Sequence, residues 1–456
     1  MSKYNFDYIV IGSGAAGSAI TQIPLPKKQK VALIEARNFG GSGLNERDVP
    51  LSASLNFSHL YHQAQTGIKM GLSSANLRFN YPTALNWQRS TIKKSTANYK
   101  QQLETLGISY YKGIAHFLNP HTIAVNNEQL TASKFLIATG ATDNLTGITN
   151  LENIPYLTPE TAIKSPKKLK NIFIIGGGST GCELAQYFAE LGTKVIIAEA
   201  YDHLLPEEDH EIGQCLEKFF SSRHHIKILT GAKVVALEDD AKKGKKIIFV
   251  QEGSEKSTHA ETVILATGKT PNIDLGLENA GVKVVDNRIK VERTLQTSCH
   301  HIWAAGDVIG GQSSTEKAAY EGLVAANNMI KNGRALVNYS GFIRITDTYP
   351  QIAKVGLNEA ECQQLGQKSK SVIVPLSETP ASITSNFQAG FLKLTTDKKG
   401  IILGATAMMP NAALVLQEIS LAIRHGLSVT ELASTPHPAN SWSNIVRVAA
   451  RKIGNS

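Results

Sequence analysis

The hydrophobic pattern of this chain contains one strand, turn, helix and strand arrangement twice. Residues 8–11 and 31–34 are short, continuous apolar runs, and residues 172–175 and 195–198 repeat them at one constant offset. Uninterrupted apolar runs of this length are typical of strands buried on both faces of a parallel sheet. The pattern therefore predicts two Rossmann-like βαβ units.

Each unit carries a GxGxxG motif after its first strand and an acidic residue at the end of its second. The first glycine permits the tight turn, the second allows backbone to approach a pyrophosphate, and the third allows the helix to pack against the strand. A lone motif is weak evidence, but two complete units predict two dinucleotide sites. The residues are Gly12, Gly14, Gly17 and Glu35 in the first unit, and Gly176, Gly178, Gly181 and Glu199 in the second.

The acidic residues predict which nucleotide is preferred. A carboxylate accepts hydrogen bonds from ribose hydroxyls, whereas it repels a 2′-phosphate, which arginine would bind. Glu199 is followed by Ala200, Tyr201 and Asp202, with no arginine. We therefore expect the second unit to bind NADH and to bind NADPH less well.

Two further apolar runs, 135–137 and 263–265, each lead into Ala-Thr-Gly. A later predicted strand is followed by a glycine turn that contains Asp307. These runs support a paired architecture. From the residues alone, Asp307 can be an ordinary turn residue or a ligand-binding residue, and both explanations are equally good.

Composition limits the other classes of function. The chain has 456 residues, 42% of them hydrophobic, which suffices for two or three domains. Its net charge of +9 comes partly from lysine runs at 167–170 and 242–246 without interleaved aromatics, so we interpret them as solvated surface and expect no nucleic acid partner. No run approaches the roughly 18 apolar residues of a membrane helix, and the N-terminus lacks a signal-peptide pattern. We expect a cytoplasmic protein without integral membrane association.

The cysteines and histidines do not have the spacing of metal or disulfide sites. The four cysteines, at 182, 215, 299 and 362, are far apart in the sequence, and the pairs His224-His225 and His300-His301 are adjacent, so neither pair shares a helix face. We therefore predict no metal ligands and interpret these histidines as structural.

Together these motifs resemble the FAD-dependent pyridine nucleotide-disulfide oxidoreductases, especially the branch of dihydrolipoamide dehydrogenase, mercuric reductase and glutathione reductase. The resemblance implies an α/β fold with two Rossmann-like dinucleotide-binding domains and a C-terminal α+β dimerisation domain, in a homodimer. The expected boundaries are 1–150 for the first part of the FAD domain, 151–270 for the NAD domain, 271–338 for the returning FAD part and 339–456 for the dimerisation domain.

The resemblance also implies roles for individual residues. The first motif and Glu35 would hold the ADP part of FAD, and Asp307 its ribityl chain, while the second motif would hold the nicotinamide dinucleotide, with Glu183 near the nicotinamide. The remaining expected cofactor-binding residues are Ala115, Thr139, Gly140, Gly268 and Gly306.

The departures from the family concern its thiol chemistry. By resemblance, the two redox cysteines would fall on Gly43 and Asp48, and neither is a thiol. We expect Asp48 either to face the flavin or to turn to solvent beside Arg47. The C-terminal histidine is kept as His437, but Trp442 stands where its carboxylate partner would be, so we expect His437 to be without an orienting acid and not to be an obligatory base.

The expected function is an oxidoreductase that passes hydride from NADH to FAD and then reduces a diffusible, non-disulfide acceptor such as a quinone. Asp48, Glu183 and His437 are its candidate catalytic residues. One alternative is reduction of a thiol, disulfide or mercuric ion through Cys299 or Cys362. Another is a nucleotide-binding pseudoenzyme or interaction protein that keeps FAD as a structural core.

Overall fold

The computed structural model describes residues 4–26, 28–72, 77–144 and 147–454. The chain forms two compact units, each assembled from three separate stretches of sequence. The first unit comprises Met1–Ser54, Asn80–Asn144 and Gly268–Val337, and the second comprises Leu55–Phe79, Leu145–Thr267 and Asn338–Ser456. Across the described ranges, no helix is both long and apolar enough to cross a membrane.

A seven-stranded sheet with a parallel centre forms the core of the first unit. Its strands lie in the order Ser109–Lys112, Val31–Glu35, Phe6–Ile11, Glu128–Ile137, Thr122–Val125 and Ala115–Asn119, with Ile302–Ala304 parallel to Glu128–Ile137. Val10 and Leu33 pack on one face of the sheet, and Ile9 and Ile34 on the other. The strands are continuously apolar because both faces are covered.

Helices and two small ladders complete the first unit. The helix Tyr81–Thr105 begins where the Asn80 side chain accepts a hydrogen bond from the Thr83 amide, and Ser314 caps Thr315–Lys331 in the same way. The other segments are the helices Ala15–Ser18 and Gly41–Asn45, the 3₁₀ turns Ala19–Gln22, Leu277–Ala280 and Asp307–Ile309, and the paired strands Ala141–Asp143 with Lys269–Pro271 and Val284–Val285 with Arg288–Ile289. Helix Asp48–Gly67 runs from the first unit into the second.

The helix after the first glycine motif is short. It comprises Ala15–Ser18 and then a 3₁₀ turn, Ala19–Gln22, and Ile23 is already extended. Pro24 follows, and a residue before proline is driven away from helical backbone angles. The corresponding helix of the second unit, Ser179–Glu190, is longer because no proline interrupts it.

The second unit contains a Rossmann-type sheet and a C-terminal antiparallel sheet. The parallel strands lie in the order Lys227–Leu229, Lys194–Ala198, Asn171–Ile175 and Thr262–Leu265, and the antiparallel strands in the order Ile343–Thr346, Gln351–Gly356, Ile402–Met409, Phe391–Asp397 and Ser369–Pro375. A separate antiparallel sheet comprises Ala232–Asp240, Gly244–Gln251 and Ser254–Ala260.

The helical segments of this unit surround those sheets. They are Pro159–Ala162, Ser179–Glu190, His210–Phe219, Glu359–Gln364, Pro380–Thr384, Ala412–His425, Val429–Ser434 and Asn444–Gly454, the π-helical turn Phe220–His224, and the 3₁₀ turns Ile68–Met70, Leu151–Asn153 and Leu376–Glu378. The predicted fold class, with two Rossmann-like domains and a C-terminal α+β domain, is confirmed. The boundaries at 150, 270 and 338 stay predictions.

Lys393 is buried at the centre of a charge cluster within the second unit, with Asp209 buried beside it and Glu211 and Glu359 at 41% and 50% side-chain exposure. Its ammonium group lies 3.1 Å from Asp209, 2.9 Å from Glu211 and 2.9 Å from Glu359, and its side chain is 5% exposed. Asp209 also accepts a 2.6 Å hydrogen bond from Thr406. Burial alone would lower the pKa of Lys393, but the hydrogen bonds and charges of the three carboxylates outweigh it and raise the pKa. The cluster joins the C-terminal sheet to helix His210–Phe219.

Candidate functional site

The first glycine loop has the close packing that its motif requires. Gly12 has a φ angle of 102°, and a Cβ atom there would lie 2.2 Å from the carbonyl oxygen of Ala138. A Cβ on Gly17 would lie 1.8 Å from the Gly12 carbonyl oxygen, whereas on Gly14 its nearest neighbour would be Gly41 Cα at 3.9 Å. Gly12 and Gly17 therefore allow tight turn and helix packing, and Gly14 keeps a surface that a phosphate can approach.

The second glycine loop repeats this geometry. Gly176 has a φ angle of 109°, and a Cβ there would lie 2.3 Å from the Ala266 carbonyl oxygen. A Cβ on Gly181 would lie 1.9 Å from the Gly176 carbonyl oxygen, and one on Gly178 would have no described atom within 4 Å. Gly178 caps helix Ser179–Glu190, so the helix N-terminus is open to an anionic group.

Glu35 and Glu199 hold their loops in matching ways. Glu35 accepts hydrogen bonds from Ser13 N at 3.0 Å, Ser13 Oγ at 2.6 Å and Arg37 N at 2.7 Å. Glu199 accepts from Gly177 N at 2.7 Å and Tyr201 N at 3.0 Å. The residues are 8% and 6% exposed, respectively. Each carboxylate is thereby oriented at the end of its strand, where a ribose hydroxyl can donate to it.

Asp307 lies in a polar cluster of the first unit. Burial raises the pKa of its carboxyl, although a hydrogen bond from Ser313 and the charge of Lys317 oppose the rise. Gly306, at a φ angle of 80°, donates its amide to Glu321 at 2.9 Å, and the same fully buried Glu321 forms a 2.9 Å ion pair with Lys317. A partly desolvated carboxylate on a rigid turn is suited to accept hydrogen bonds from a hydroxylated chain.

Thr139, Gly140 and Gly268, from the two Ala-Thr-Gly segments, belong to the first unit. Thr139 Oγ1 donates to the Asn272 carbonyl at 2.8 Å, and the Asn144 amide donates to the Gly268 carbonyl at 3.0 Å. Gly140 and Gly268 have φ angles of 67° and 96°, and a Cβ on either would have no described atom within 4 Å. Ala115 begins an edge strand and is 3% exposed, so only its backbone can face a ligand.

Gly43 and Asp48 lie side by side. A Cβ on Gly43 would lie 2.7 Å from Asp48 Oδ2, the same oxygen that accepts a hydrogen bond from Thr315 Oγ1. Asp48 is exposed and begins helix Asp48–Gly67, while Thr315 begins helix Thr315–Lys331. The two positions that the resemblance assigned to a cysteine pair are thus adjacent in space.

Three of the four cysteines lie on separate helices, Cys299 lies in a loop, and all four are free. Cys182 and Cys362 are buried, and Cys215 and Cys299 are half-buried. Burial raises the pKa of all four thiols, most strongly that of Cys182. Since the thiolate is the reactive form, these environments suppress thiol reactivity.

Glu183 is buried on helix Ser179–Glu190 at 9% exposure. Its carboxylate accepts a 2.7 Å hydrogen bond from the Asp347 amide and a 3.4 Å hydrogen bond from Ser179 Oγ. The described contacts therefore give Glu183 a role in joining this helix to the start of the C-terminal segment. Its predicted place near a nicotinamide stays a prediction.

The expectation that His437 has no carboxylate partner is wrong. Its Nε2 lies 3.0 Å from Glu418 Oε2, its Nδ1 lies 2.9 Å from the Thr435 carbonyl oxygen, and its side chain is 4% exposed. Glu418 comes from helix Ala412–His425, while Trp442 packs against the apolar core. Burial raises the pKa of Glu418, although His437 opposes the rise. Both ring nitrogens of His437 therefore have hydrogen-bond partners in this conformation.

The sequence interpretation missed several polar residues of these sites. Ser13 links the first loop to Glu35 and accepts a 2.9 Å hydrogen bond from the Gly40 amide. Lys317 and Glu321 are four residues apart on one helix, a spacing that could have indicated their ion pair. Glu418 is the only charged residue from Ala412 to Ile423 of its helix, which could have marked it as a residue needing a partner.

The described residues fit two dinucleotides, one in each unit. The first glycine loop, Glu35 and Asp307 present backbone amides and oriented carboxylates where a pyrophosphate, a ribose and a polyhydroxylated chain would bind, as in FAD. The second loop and Glu199 present the pyrophosphate and ribose positions of a nicotinamide dinucleotide. FAD, when bound, supplies the chemistry that accepts a hydride and passes electrons on.

Comparison with known proteins identifies the family to which nearly the whole chain is similar. Residues 6–322 match the model of the pyridine nucleotide-disulphide oxidoreductase family, and residues 343–450 match that family's dimerisation domain. The chain is 33% identical to a mercuric reductase of Bacillus cereus, with 98% of this chain and 71% of the relative covered. It is 30% identical to a dihydrolipoyl dehydrogenase of Bacillus subtilis, with 97% and 95% covered.

Solved structures share the fold. LpdA from Mycobacterium tuberculosis superposes with a TM-score of 0.87 at 22% identity, with 98% of this chain and 99% of that chain covered. The HOCl-induced flavoprotein disulfide reductase RclA from Escherichia coli superposes with a TM-score of 0.85 at 22% identity, with the same coverage. At this identity the likeness is one of fold.

Proposed function

Because the chain belongs to the pyridine nucleotide-disulphide oxidoreductase family, we propose that it transfers hydride from NADH to FAD and reduces a diffusible, non-disulfide acceptor. The family confirms the prediction of an FAD-dependent pyridine nucleotide oxidoreductase. The acceptor, the preference for NADH, the residue roles and the homodimer are our proposals.

The pairing of Gly43 with Asp48 carries the proposal for the acceptor. A Cβ on Gly43 would lie 2.7 Å from Asp48 Oδ2, so the two side-chain positions are close enough for a redox pair. Neither residue can carry redox equivalents. The four cysteines are separated along the fold and have raised pKa values, so no described thiol is suited to replace the pair.

Residues of the second unit support NADH as the electron donor. Glu199 is fixed by the Gly177 and Tyr201 amides and is suited to accept ribose hydroxyl donors. The carboxylate would repel a 2′-phosphate at that position, and residues 200–202 after it contain no arginine that could bind the phosphate. Glu183 would lie near the nicotinamide and position it, since hydride transfer to a flavin requires orientation and no protein nucleophile.

Asp48 is proposed to line the acceptor side of the flavin site. Its hydrogen bond to Thr315 places it at the N-terminus of helix Thr315–Lys331, in the same unit as Glu35 and Asp307. A carboxylate there disfavours anionic acceptors and leaves room for neutral, planar ones such as quinones.

The C-terminal domain supports a homodimer. Leu414 and Leu421 lie seven residues apart on helix Ala412–His425, so they share one face, and they are 72% and 58% exposed in the single chain. Exposed leucines on one helix face, in a domain that matches a dimerisation domain, fit a surface that a second copy covers.

A steady-state acceptor screen with purified, FAD-loaded protein tests the proposal. We expect NADH oxidation with quinones, and little with lipoamide, glutathione disulfide or Hg²⁺. A Cys299→Ser, Cys362→Ser double variant should keep quinone turnover and is the matched control for a displaced thiol.

Three outcomes would contradict the proposal. Faster turnover with a disulfide or Hg²⁺ than with any quinone would favour the activities named for the relatives. Loss of quinone turnover in the double cysteine variant would place a thiol in the electron path. No turnover with any acceptor would favour a pseudoenzyme.

A further inference from the structure

Three histidines and a buried glutamate converge in the second unit, apart from the residues assigned to either dinucleotide. His62 belongs to helix Asp48–Gly67, Glu190 ends helix Ser179–Glu190, and His224 ends the turn Phe220–His224. One ligand atom from each of these three residues lies within 4.8 Å of the other two. The rings of His62 and His224 are 5.0 Å apart between centroids.

His59 joins this group from the same helix as His62. Residues three apart share a helix face, so both imidazoles project toward Glu190. His59 Nδ1 lies 3.8 Å from Glu190 Oε1, and its ring packs against Tyr349 at 3.7 Å. Both His59 nitrogens are buried without a hydrogen-bond partner among the described residues.

The Glu190 carboxyl group lies in surroundings that favour a cation. Its side chain is 1% exposed, and it accepts one 3.0 Å hydrogen bond from Gln186 Nε2. Glu190 also lies at the C-terminal end of its helix, and His224 lies at the C-terminal end of the turn Phe220–His224. The helix dipole is negative at such an end. A buried carboxylate in such surroundings is costly unless a positive charge compensates it.

Imidazole is the commonest metal ligand among protein side chains, and it binds through the lone pair of an unprotonated ring nitrogen.

We propose that His62, Glu190 and His224 bind a divalent transition-metal ion of the Zn²⁺ class, with His59 as the fourth ligand. Imidazole and carboxylate ligands suit such ions, and four ligands match the tetrahedral preference of Zn²⁺.

The distances allow this site to close. Nitrogen and oxygen ligands about 2.1 Å from a tetrahedral ion are about 3.4 Å from each other. The three ligand atoms lie within 4.8 Å of one another, so their separations have to shrink by at most about 1.4 Å, which side-chain rotation can provide.

The sequence alone did not indicate this group. Histidines at 224 and 225 are adjacent, which argued against a shared helix face, and the other ligands come from distant segments. Our expectation of no metal ligands rested on local spacing, whereas this site depends on tertiary packing of three helical segments.

Zn²⁺ binding to FAD-loaded protein tests the proposal. The protein is stripped with EDTA, freed of chelator and titrated with Zn²⁺ by calorimetry and by competition with a chromophoric zinc indicator. We expect one ion per chain and a rise in the thermal unfolding midpoint, because an ion that binds the folded state stabilises it. His62→Ala, His224→Asn and Glu190→Gln should each weaken binding at least about tenfold.

Two control variants make the test specific. His225→Asn changes the exposed neighbour of His224 at a φ angle of 53°, which asparagine tolerates, and should leave Zn²⁺ affinity unchanged. His210→Ala alters a second, more exposed group, Asp202, His203 and His210, whose ligand atoms also lie within 4.8 Å of one another. It should likewise have no effect.

The proposal is overturned if no saturable binding occurs below about 100 µM Zn²⁺, or if His210→Ala abolishes binding while His62→Ala does not. Circular dichroism and FAD content of the metal-free variants check folding, and if Glu190→Gln fails to fold, His62→Ala decides the result. The acceptor screen does not depend on this site, so either proposal can fail without the other.

Discussion

Glu199 is the residue through which the proposed nucleotide preference can be tested most sharply. Replacing it with glutamine keeps the shape of the side chain and removes its charge. The carboxylate accepts from Gly177 N at 2.7 Å and Tyr201 N at 3.0 Å, and the residue is 6% exposed. Glutamine can keep one of these bonds through its carbonyl oxygen, but its amide group would oppose the other donor.

The expected magnitude follows from charge and hydrogen bonding. A hydrogen bond to a charged group contributes about 1.5–3 kcal/mol, so loss of the carboxylate should lower kcat/KM for NADH by roughly 10- to 100-fold. Repulsion between the carboxylate and a 2′-phosphate about 5 Å away costs about 3 kcal/mol per unit charge at an effective dielectric constant near 20. Removal of this repulsion in Glu199→Gln should leave kcat/KM for NADPH unchanged or higher.

Rapid-reaction measurement of flavin reduction by NADH and by NADPH gives both values for the wild type and for Glu199→Gln. Glu35→Gln is the matched control, because Glu35 makes the equivalent contacts in the first unit. It should weaken FAD retention, while the ratio of the two kcat/KM values in FAD-loaded protein should stay as in the wild type. The reasoning is refuted if the wild type prefers NADPH, or if Glu199→Gln leaves the ratio unchanged.

Three further predictions concern the second unit. Lys393→Met leaves three carboxylates without their cation and should lower the free energy of unfolding by about 3 kcal/mol, measured by denaturant titration. Because the pKa of Lys393 is raised in the folded protein, its contribution to stability should be complete below about pH 10 and should disappear as the pH rises through that raised pKa. Equal stabilities of the wild type and the variant at pH 7 would contradict this prediction. His437→Ala should leave the rate of flavin reduction by NADH nearly unchanged, and Glu418→Gln should do the same; a large loss in either would make that pair part of the reductive step. Leu414→Glu with Leu421→Glu should convert a dimer to a monomer in analytical ultracentrifugation, and a dimer that persists would place the interface elsewhere.

Local backbone rules explain why the fold and both glycine loops could be predicted from the sequence. Gly12 and Gly176 are required by turns that their own strands and helices form, and Glu35 and Glu199 end the adjacent strands. The helix after Gly14 is short because a proline follows it, which is a local effect of the same kind.

Contacts between distant segments could not be predicted in the same way. Glu418 replaces the acid expected at position 442 because helix Ala412–His425 packs beside the His437 loop. Glu190 meets His62 through packing of separate helices, and no periodicity in either segment indicates the other. Such pairings depend on tertiary structure, which single-sequence patterns do not encode.

Anaerobic reduction of the FAD-loaded protein tests the central proposal, that electrons leave the flavin without a protein thiol. Stepwise addition of dithionite should consume about two electrons per FAD. No long-wavelength thiolate-to-flavin absorbance should appear, and the count of four free thiols should be the same before and after reduction. Appearance of that absorbance, or uptake of about two further electrons with two new thiols per chain, would show that a cysteine pair takes part and would contradict the account.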